Sequence, residues 1–467
     1  MKIIRKTTNH ITTINTEKFK TTTIKVSFKT DLTRENVTPR IMLANVLRNS
    51  SKTFASKKIL SAHLEELYGA NLSVSAKKQG SIHAISFFMQ VANEKFLKSA
   101  PPLFEEALVT LSEIIINPKI VVDAFDKEVV NLEARLLKEE IESIIDDKTT
   151  YALKKLIAQM CETESFGISG DGYIEDLVKI NEKTLIETYQ SMIQDDEVNI
   201  VVLGDVLHEE VVAMFNQNLN LTPCMRNDLS KVENQLSPIE NQLSPIENQL
   251  SPIENQLSPI ENQLSPIDWE EKEISEIVKL QEEQLVNQAK LNIGYRTFTR
   301  MTDEDYFSLL VLNGILGAFA HSKLFVNVRE KESLCYYCAS QLDNFKGLLY
   351  IYSGLDSAQI PKAITIIDKQ IADICTGNIT SQELSLAKKS IINAKRESLD
   401  SSAGMLSDLE MGAILKMSAE EFVAKIETIT KEDIVEVAKK IKKDTVFTLI
   451  PKEAEHHLET LHSEVEI

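Results

Sequence analysis

Leu324-Phe-Val-Asn-Val-Arg-Glu-Lys-Glu-Ser-Leu-Cys-Tyr-Tyr337 reads as a helix that ends near Lys331 and turns into a strand beginning near Leu334. Arg329 and Tyr336 lie seven residues apart on either side of that corner, so both side chains can point at one surface from a rigid base. Upstream, Ala289-Lys-Leu-Asn-Ile-Gly-Tyr295 is an opening strand, followed by helices predicted over 303–316 and 322–331. Downstream come a hairpin over 334–353 and long helices over 357–376, 380–399 and 402–416. Ile429-Thr-Lys-Glu-Asp-Ile-Val-Glu436 then leads through a helix to the closing strand Val446-Phe-Thr-Leu-Ile450.

The first half of the chain has the same order. Thr21-Thr-Thr-Ile-Lys-Val-Ser-Phe28 alternates as a strand, and helices follow over 38–48 and 56–68. Gly69 stops the second of these. A hairpin over 72–91 sets Ile85, Phe87, Met89 and Val91 on one side at period two. Helices are predicted over 95–116, 121–145, 148–161 and 181–193. Ile180-Asn-Glu-Lys-Thr-Leu-Ile-Glu187 then leads to the strand Val198-Asn-Ile-Val-Val-Leu203, matching the end of the second half. Helices running between antiparallel strands argue for an α+β unit written twice, each an antiparallel-rich sheet with helices packed on one side. The halves are placed at 1–228 and 271–467.

Between them, Asn234 to Asp268 holds five tandem copies of Asn-Gln-Leu-Ser-Pro-Ile-Glu, the last ending in Asp. A seven-residue period suggests a coiled coil, but a proline in every copy costs roughly 3 kcal/mol each in a helix and forbids it. The segment 229–270 is therefore read as a flexible, extended linker.

A net charge of −19 repels nucleic acid and anionic membrane, so neither is expected as a partner. The start, Met1-Lys-Ile-Ile-Arg-Lys-Thr-Thr-Asn-His10, has no apolar run behind its charges and is not read as a secretory signal. No stretch approaches the ~18 apolar residues a membrane helix needs. Five cysteines, an odd and sparse set, suit free thiols in a cytoplasmic setting.

The order of elements, the duplication and the Arg329/Tyr336 corner resemble the two-domain subunits of the pitrilysin/insulinase metallopeptidase family, over nearly the whole chain outside the linker. The most specific part runs from Gly314-Ile-Leu-Gly317 to Gly354 and resembles the noncatalytic subunits of Gram-positive bacteria. The resemblance implies half of a clamshell that closes around a peptide chamber. It also implies a heterodimer in which a partner brings His-x-x-Glu-His and zinc, while this chain brings Arg329 and Tyr336 to hold substrate and the developing oxyanion. The family's zinc motif would fall on Ile41-Met-Leu-Ala-Asn45. Ile41 and Asn45 stand at the two histidine positions and Ala44 at the general-base glutamate. Ile cannot ligate zinc, a neutral amide is a poor ligand, and Ala cannot take a proton from water, so no metal is expected in this chain. The third ligand position falls on Glu133, with Asp126 seven residues before it as the outer acid, and both are expected to be solvated helix carboxylates. The alternative from another class is a peptide-binding or scaffold protein of the same fold with no proteolytic role.

Other candidate groups are weaker. His63 and Glu66 share a helix face but are too few for a metal site. His456, His457 and His462 fall in a charged tail. Cys335-Tyr-Tyr-Cys338 has redox spacing, but residues i and i+3 of a strand point to opposite faces, so both are expected to be structural. Gly314, Gly317, Gly347 and Gly354 form no phosphate loop.

Overall fold

A computed structural model of the chain describes residues 4–8, 10–98, 101–219, 264–267 and 272–452. The first half contains β1 (Ile4–Thr8), β2 (Ile11–Asn15), β3 (Thr21–Asp31), α1 (Val37–Leu47), α2 (Lys57–Glu66), β4 (Asn71–Gln79), β5 (Ile82–Ala92) and α3 (Leu103–Ile116). It continues through β6 (Ile120–Val121), β7 (Ala124–Phe125), α4 (Lys127–Ser143), α5 (Lys148–Met160), α6 (Ile174–Leu177), α7 (Thr184–Asp195), β8 (Glu197–Gly204) and α8 (His208–Asn218). The second half contains β9 (Val278–Gln284), β10 (Ala289–Arg296), α9 (Tyr306–Asn313), β11 (Cys335–Asp343) and β12 (Leu348–Leu355). It ends with α10 (Ile360–Cys375), α11 (Ser381–Ser398), α12 (Ser402–Leu415), α13 (Ala419–Thr428), α14 (Lys431–Lys440) and β13 (Lys442–Pro451).

The two main sheets have one topology. The first runs β1-β2-β8-β3-β5-β4, and the second, read from its far edge, runs β9-β13-β10-β12-β11. Each is antiparallel except for one parallel pair, β2 with β8 and β9 with β13. The duplication therefore holds for five strands of each sheet, with β4 and β11 as equivalent edges and β1 an added strand of the first.

Several elements differ from the sequence reading. The helix expected from residue 95 begins at Leu103, because Pro101 and Pro102 supply no backbone donors. The one expected from 121 begins at Lys127, capped by the Asp126 side chain, and the small β6–β7 hairpin precedes it. The segments 314–318 and 325–331 are widened π-helical turns rather than α-helix. Strands β1, β2 and β9 were not anticipated.

Each sheet buries one face against helices of its own half. The second face takes a helix from the other half. Ala152, Leu156 and Met160 of α5 pack on Leu348, Tyr350, Phe447 and Leu449 of the second sheet. Met405 and Leu406 of α12 pack on Ile14, Val201 and Leu203 of the first. This exchange explains why β8 is apolar almost throughout rather than alternating, since both of its faces are covered. A side chain at Gly294 of β10 would run into the Met160 sulfur, so glycine lets α5 approach the sheet.

Buried charges lock the exchange. Glu164, just past α5, faces Arg296 of β10 (Nη1 to Oε2, 3.2 Å) and Lys346 of the β11–β12 turn (2.7 Å). Arg296 also donates Nε to Asp444 of β13 (2.7 Å) and Nη2 to the Met160 carbonyl (2.7 Å). All four charged side chains are at most 5% exposed. Burial alone would raise the Glu164 carboxyl's pKa, but hydrogen bonds from Arg296 and Lys346 outweigh it and hold it below its ordinary value.

Within the first half, Arg40 of α1 pairs with Asp196 at 2.7 Å, both side chains buried, beside His83 of β5. Burial, and then the Arg40 charge, lower the His83 pKa to about 3. The unfolded histidine takes up its proton near pH 6.5 and the folded one does not, so native stability falls as pH drops from about 6.5 toward 3. His83→Leu is expected to remove about 2–3 kcal/mol of the stability lost between pH 6.5 and 4.5, measured by urea unfolding at each pH. Equal acid limbs for the two proteins would contradict this.

The linker copies up to residue 263 lie outside the described residues, but part of the last copy does not behave as a free tether. Leu264–Ile267 lies on the β4–β5 turn, where Ser81 donates its N–H to the Pro266 carbonyl (3.1 Å) and its hydroxyl to the Ser265 carbonyl (3.1 Å). The Leu264 N–H reaches Glu197 at 2.8 Å, and Ile267 packs on the second core. Gly80 at this turn has φ +61°, and a Cβ there would strike the Pro266 carbonyl. Deleting the first four copies keeps this docked segment and shortens the connection less than threefold. Stability is expected to change by no more than about 1 kcal/mol, checked by thermal and urea unfolding.

Candidate functional site

Helix α1 is buried along nearly its whole length, and the positions of the degenerate zinc motif belong to that packing. Ile41 is 8% exposed, Ala44 is fully buried and Asn45 is 9% exposed. Ile41 joins the first core and also lines a cleft of about 500 Å³ with Ala76, Leu137, Ile157 and Phe166. Lys77 and Lys78 of the edge strand β4, Lys154, Glu140 and Asp171 supply its polar rim.

Glu133 is not the solvated carboxylate the sequence suggested. It is 3% exposed on α4, and both of its oxygens are occupied by protein donors. Arg48 donates Nη2 to Oε2 at 3.0 Å, and Asn49 donates Nδ2 to Oε1 at 2.9 Å. Asn49 also reaches back to the Asn45 carbonyl at 2.7 Å. A guanidinium and an amide from the end of α1 thus neutralise the carboxylate that a metal would otherwise hold. Zinc does not fit here: two of the motif positions carry no donor, the third is an amide, and the one carboxylate is already paired. Among the described residues, no group of three or more His, Cys, Asp or Glu side chains converges on a point. Arg48 and Asn49 were missed because their only signal in the sequence is their position one turn beyond Asn45.

Asp126 does not act on Glu133. It caps α4, accepting from the Glu128 N–H at 3.1 Å, and pairs with Lys119 at 3.1 Å. The hydrogen bond from Lys119 is the main reason its pKa is lowered. His63 hydrogen-bonds Thr110 at 2.8 Å and stacks on Phe54, with ring centroids 4.7 Å apart, a packing role. The tail histidines at 456, 457 and 462 lie outside the described residues.

Arg329 lies in the last turn of the π-helical segment Phe325–Lys331 and is exposed, its guanidinium 4.5 Å from the centre of the Phe325 ring. Tyr336 is 80% exposed, unusual for a tyrosine within a strand. The pairing of β11 with β12 shows why: Cys335 stands opposite Leu355 and Tyr337 opposite Gly354, so Tyr336 is the extra residue of a β-bulge. A bulge at a sheet edge re-aims a side chain, and here it turns the phenol out to solvent. The same bulge overturns the expectation that Cys335 and Cys338 face opposite ways. Cys335 opposes Leu355 and Cys338 opposes Ser353, which lie on one face of β12.

With this fold, and with a zinc helix in outline that has no zinc ligands, the chain belongs to the M16 family of peptidases, the pitrilysin/insulinase type. The family model described as "Peptidase M16 inactive domain" matches residues 179–391. The chain is 36% identical, over 95% of its own length and 95% of the relative's, to the probable inactive metalloprotease YmfF of Bacillus subtilis (strain 168). A crystal structure of a conserved protein from Enterococcus faecalis V583 covers 97% of the chain and is itself 99% covered, at 30% identity and a TM-score of 0.80. A peptidase M16 inactive domain from Pseudomonas fluorescens shares the fold over 97% of this chain and 99% of its own, with a TM-score of 0.70 at 14% identity. Among the described residues no helix is long and apolar enough to cross a membrane.

Proposed function

We propose that this chain is the catalytically silent subunit of a heterodimeric zinc metallopeptidase. Its partner carries His-x-x-Glu-His and the zinc. This chain supplies half of the peptide chamber, with Arg329 forking onto a substrate carbonyl or carboxylate and Tyr336 donating to the oxyanion at the scissile carbonyl. The substrate is a peptide or small unfolded protein, and the setting is cytoplasmic peptide processing. The observation that carries the reading is an asymmetry within one chain. The metal half is refilled by Ile41, Ala44 and the Arg48–Glu133 pair, while Tyr336 is held out on a bulge that nothing in the core requires. A site that had lost all function would have no reason to keep Tyr336 turned out to solvent from a strand.

The test is a tagged pull-down from the native cell, with mass spectrometry and zinc analysis of the eluate. A stoichiometric partner bearing His-x-x-Glu-His, with about one zinc per pair, is expected. A zinc-free monomer or homodimer without such a partner would sink the proposal and favour a peptide-binding or scaffold role, for which the cleft beside Ile41 would be the place to look.

A further inference from the structure

The bulge at Tyr336 brings together two thiols that the reading above does not use. Cys335 and Cys338 share a face of β11 because their partners, Leu355 and Ser353, are two residues apart on β12. Two residues of strand correspond to about 6.8 Å of rise, compared with ~10 Å for three residues of regular strand. That separation lies at the upper end of the Cα spacing a disulfide spans, ~6.8 Å. Both thiols face Ser353, which is buried on β12 and donates its hydroxyl to the Tyr337 carbonyl between them (2.8 Å). The two are not equivalent. Cys338 is 2% exposed, whereas Cys335 is only partly covered and lies within the field of Arg329. The neighbouring Cys338 thiol, helped by Ser353 and the Arg329 charge, lowers the Cys335 pKa against the effect of burial. The Cys335 neighbour, together with burial, raises that of Cys338. A partly exposed thiol of lowered pKa beside a buried thiol of raised pKa is the arrangement of an attacking and a resolving cysteine.

We propose that Cys335 and Cys338 form a dithiol site that low-molecular-weight disulfides oxidise to an intrachain disulfide, Cys335 attacking and Cys338 resolving. The Cys335 thiolate attacks one sulfur of the small disulfide. A Cys335–S bond forms, the small S–S bond breaks, and one thiolate leaves and takes a proton. Cys338 then gives up its proton and attacks the Cys335 sulfur. The protein disulfide forms and the second small thiol leaves. Two protein thiols are oxidised and one small disulfide is reduced to two thiols. The product closes a ring around Tyr336, so the oxidation state sets how freely that side chain can move. The inference rests on β11 geometry and not on the peptidase reading.

The test uses the full-length chain in buffers of oxidised and reduced glutathione at neutral pH, quenched with acid and an alkylating reagent, and read by intact-mass and peptide mass spectrometry. The wild type is expected to lose about 2 Da, mapped to the 335–338 peptide. Cys338→Ser is expected to stop at a glutathione adduct on Cys335. That adduct should form at least about tenfold faster than any on Cys375, whose own thiol burial pushes up. Cys335→Ser is expected to leave Cys338 unmodified. Persistence of the mixed disulfide in the wild type, or equal reactivity of Cys335 and Cys375 in Cys338→Ser, would overturn the proposal. Because the readout is mass and not proteolysis, its failure leaves the subunit reading untouched.

Discussion

Glu164→Gln is expected to destabilise the protein by about 3–5 kcal/mol, the range for removing one partner of a buried ion pair. Glutamine keeps the shape and loses the charge. Lys346 and one side of Arg296, both at most 5% exposed, then face a neutral amide inside the interface where α5 crosses to the second sheet. The loss arises from the net positive charge left in the buried set once Glu164 is neutral and not from the worth of the contact itself, so replacing the whole set by apolar residues of similar volume should cost far less. The effect should also depend on pH. The Glu164 pKa is held below its ordinary value, so its contribution is full above the unfolded pKa of a glutamate and fades as pH falls through the folded one. Urea unfolding at pH 7 gives the number. A change below about 1 kcal/mol, the upper end for solvent-exposed ion pairs in general, would show that the network is not what holds the halves together.

In the heterodimer proposed above, Arg329→Ala combined with Tyr336→Phe is expected to lower kcat/KM for a peptide substrate roughly 10²–10³-fold, the effect of losing an oxyanion donor together with a substrate anchor. Both side chains are exposed and leave the core intact, so the fold of this chain, its association and the zinc content of the partner should be unchanged. The single variants separate the roles. Tyr336→Phe should act mainly on kcat, and Arg329→Ala should also raise KM. Unchanged peptidase activity in the double variant would remove the clamp assignment while leaving the fold and the absent metal site as they are.

The repeated order of elements was legible in the sequence because each half carries the same periodicities: an alternating strand, two helices, a hairpin, long helices and a Val-rich closing strand. Strands β1, β2 and β9 were not legible. They lie at sheet edges or follow a turn, and β9 is a charged stretch, Val278-Lys-Leu-Gln-Glu-Glu-Gln284, held by backbone pairing that leaves no side-chain pattern. That the zinc-motif positions lack ligands could be read from residue types alone, since the side chains of Ile41 and Ala44 have no donor atoms in any conformation. The state of Glu133 could not be read, because a carboxylate on a helix looks the same in sequence whether it faces water or the Arg48 guanidinium.

The sequence by itself determined the duplication and the lack of zinc-ligating side chains at Ile41 and Ala44, each of which depends on residue type or local period. Tertiary structure decided that α5 and α12 are exchanged between the sheets, that Glu164, Arg296, Lys346 and Asp444 meet, and that Leu264–Ile267 of the last repeat is docked. It also decided that Tyr336 points outward while Cys335 and Cys338 share a face. These depend on which surfaces are brought together across long stretches of chain, and on a one-residue slip in strand pairing. A slip of that size reverses the facing of every side chain beyond it and leaves no trace in residue type.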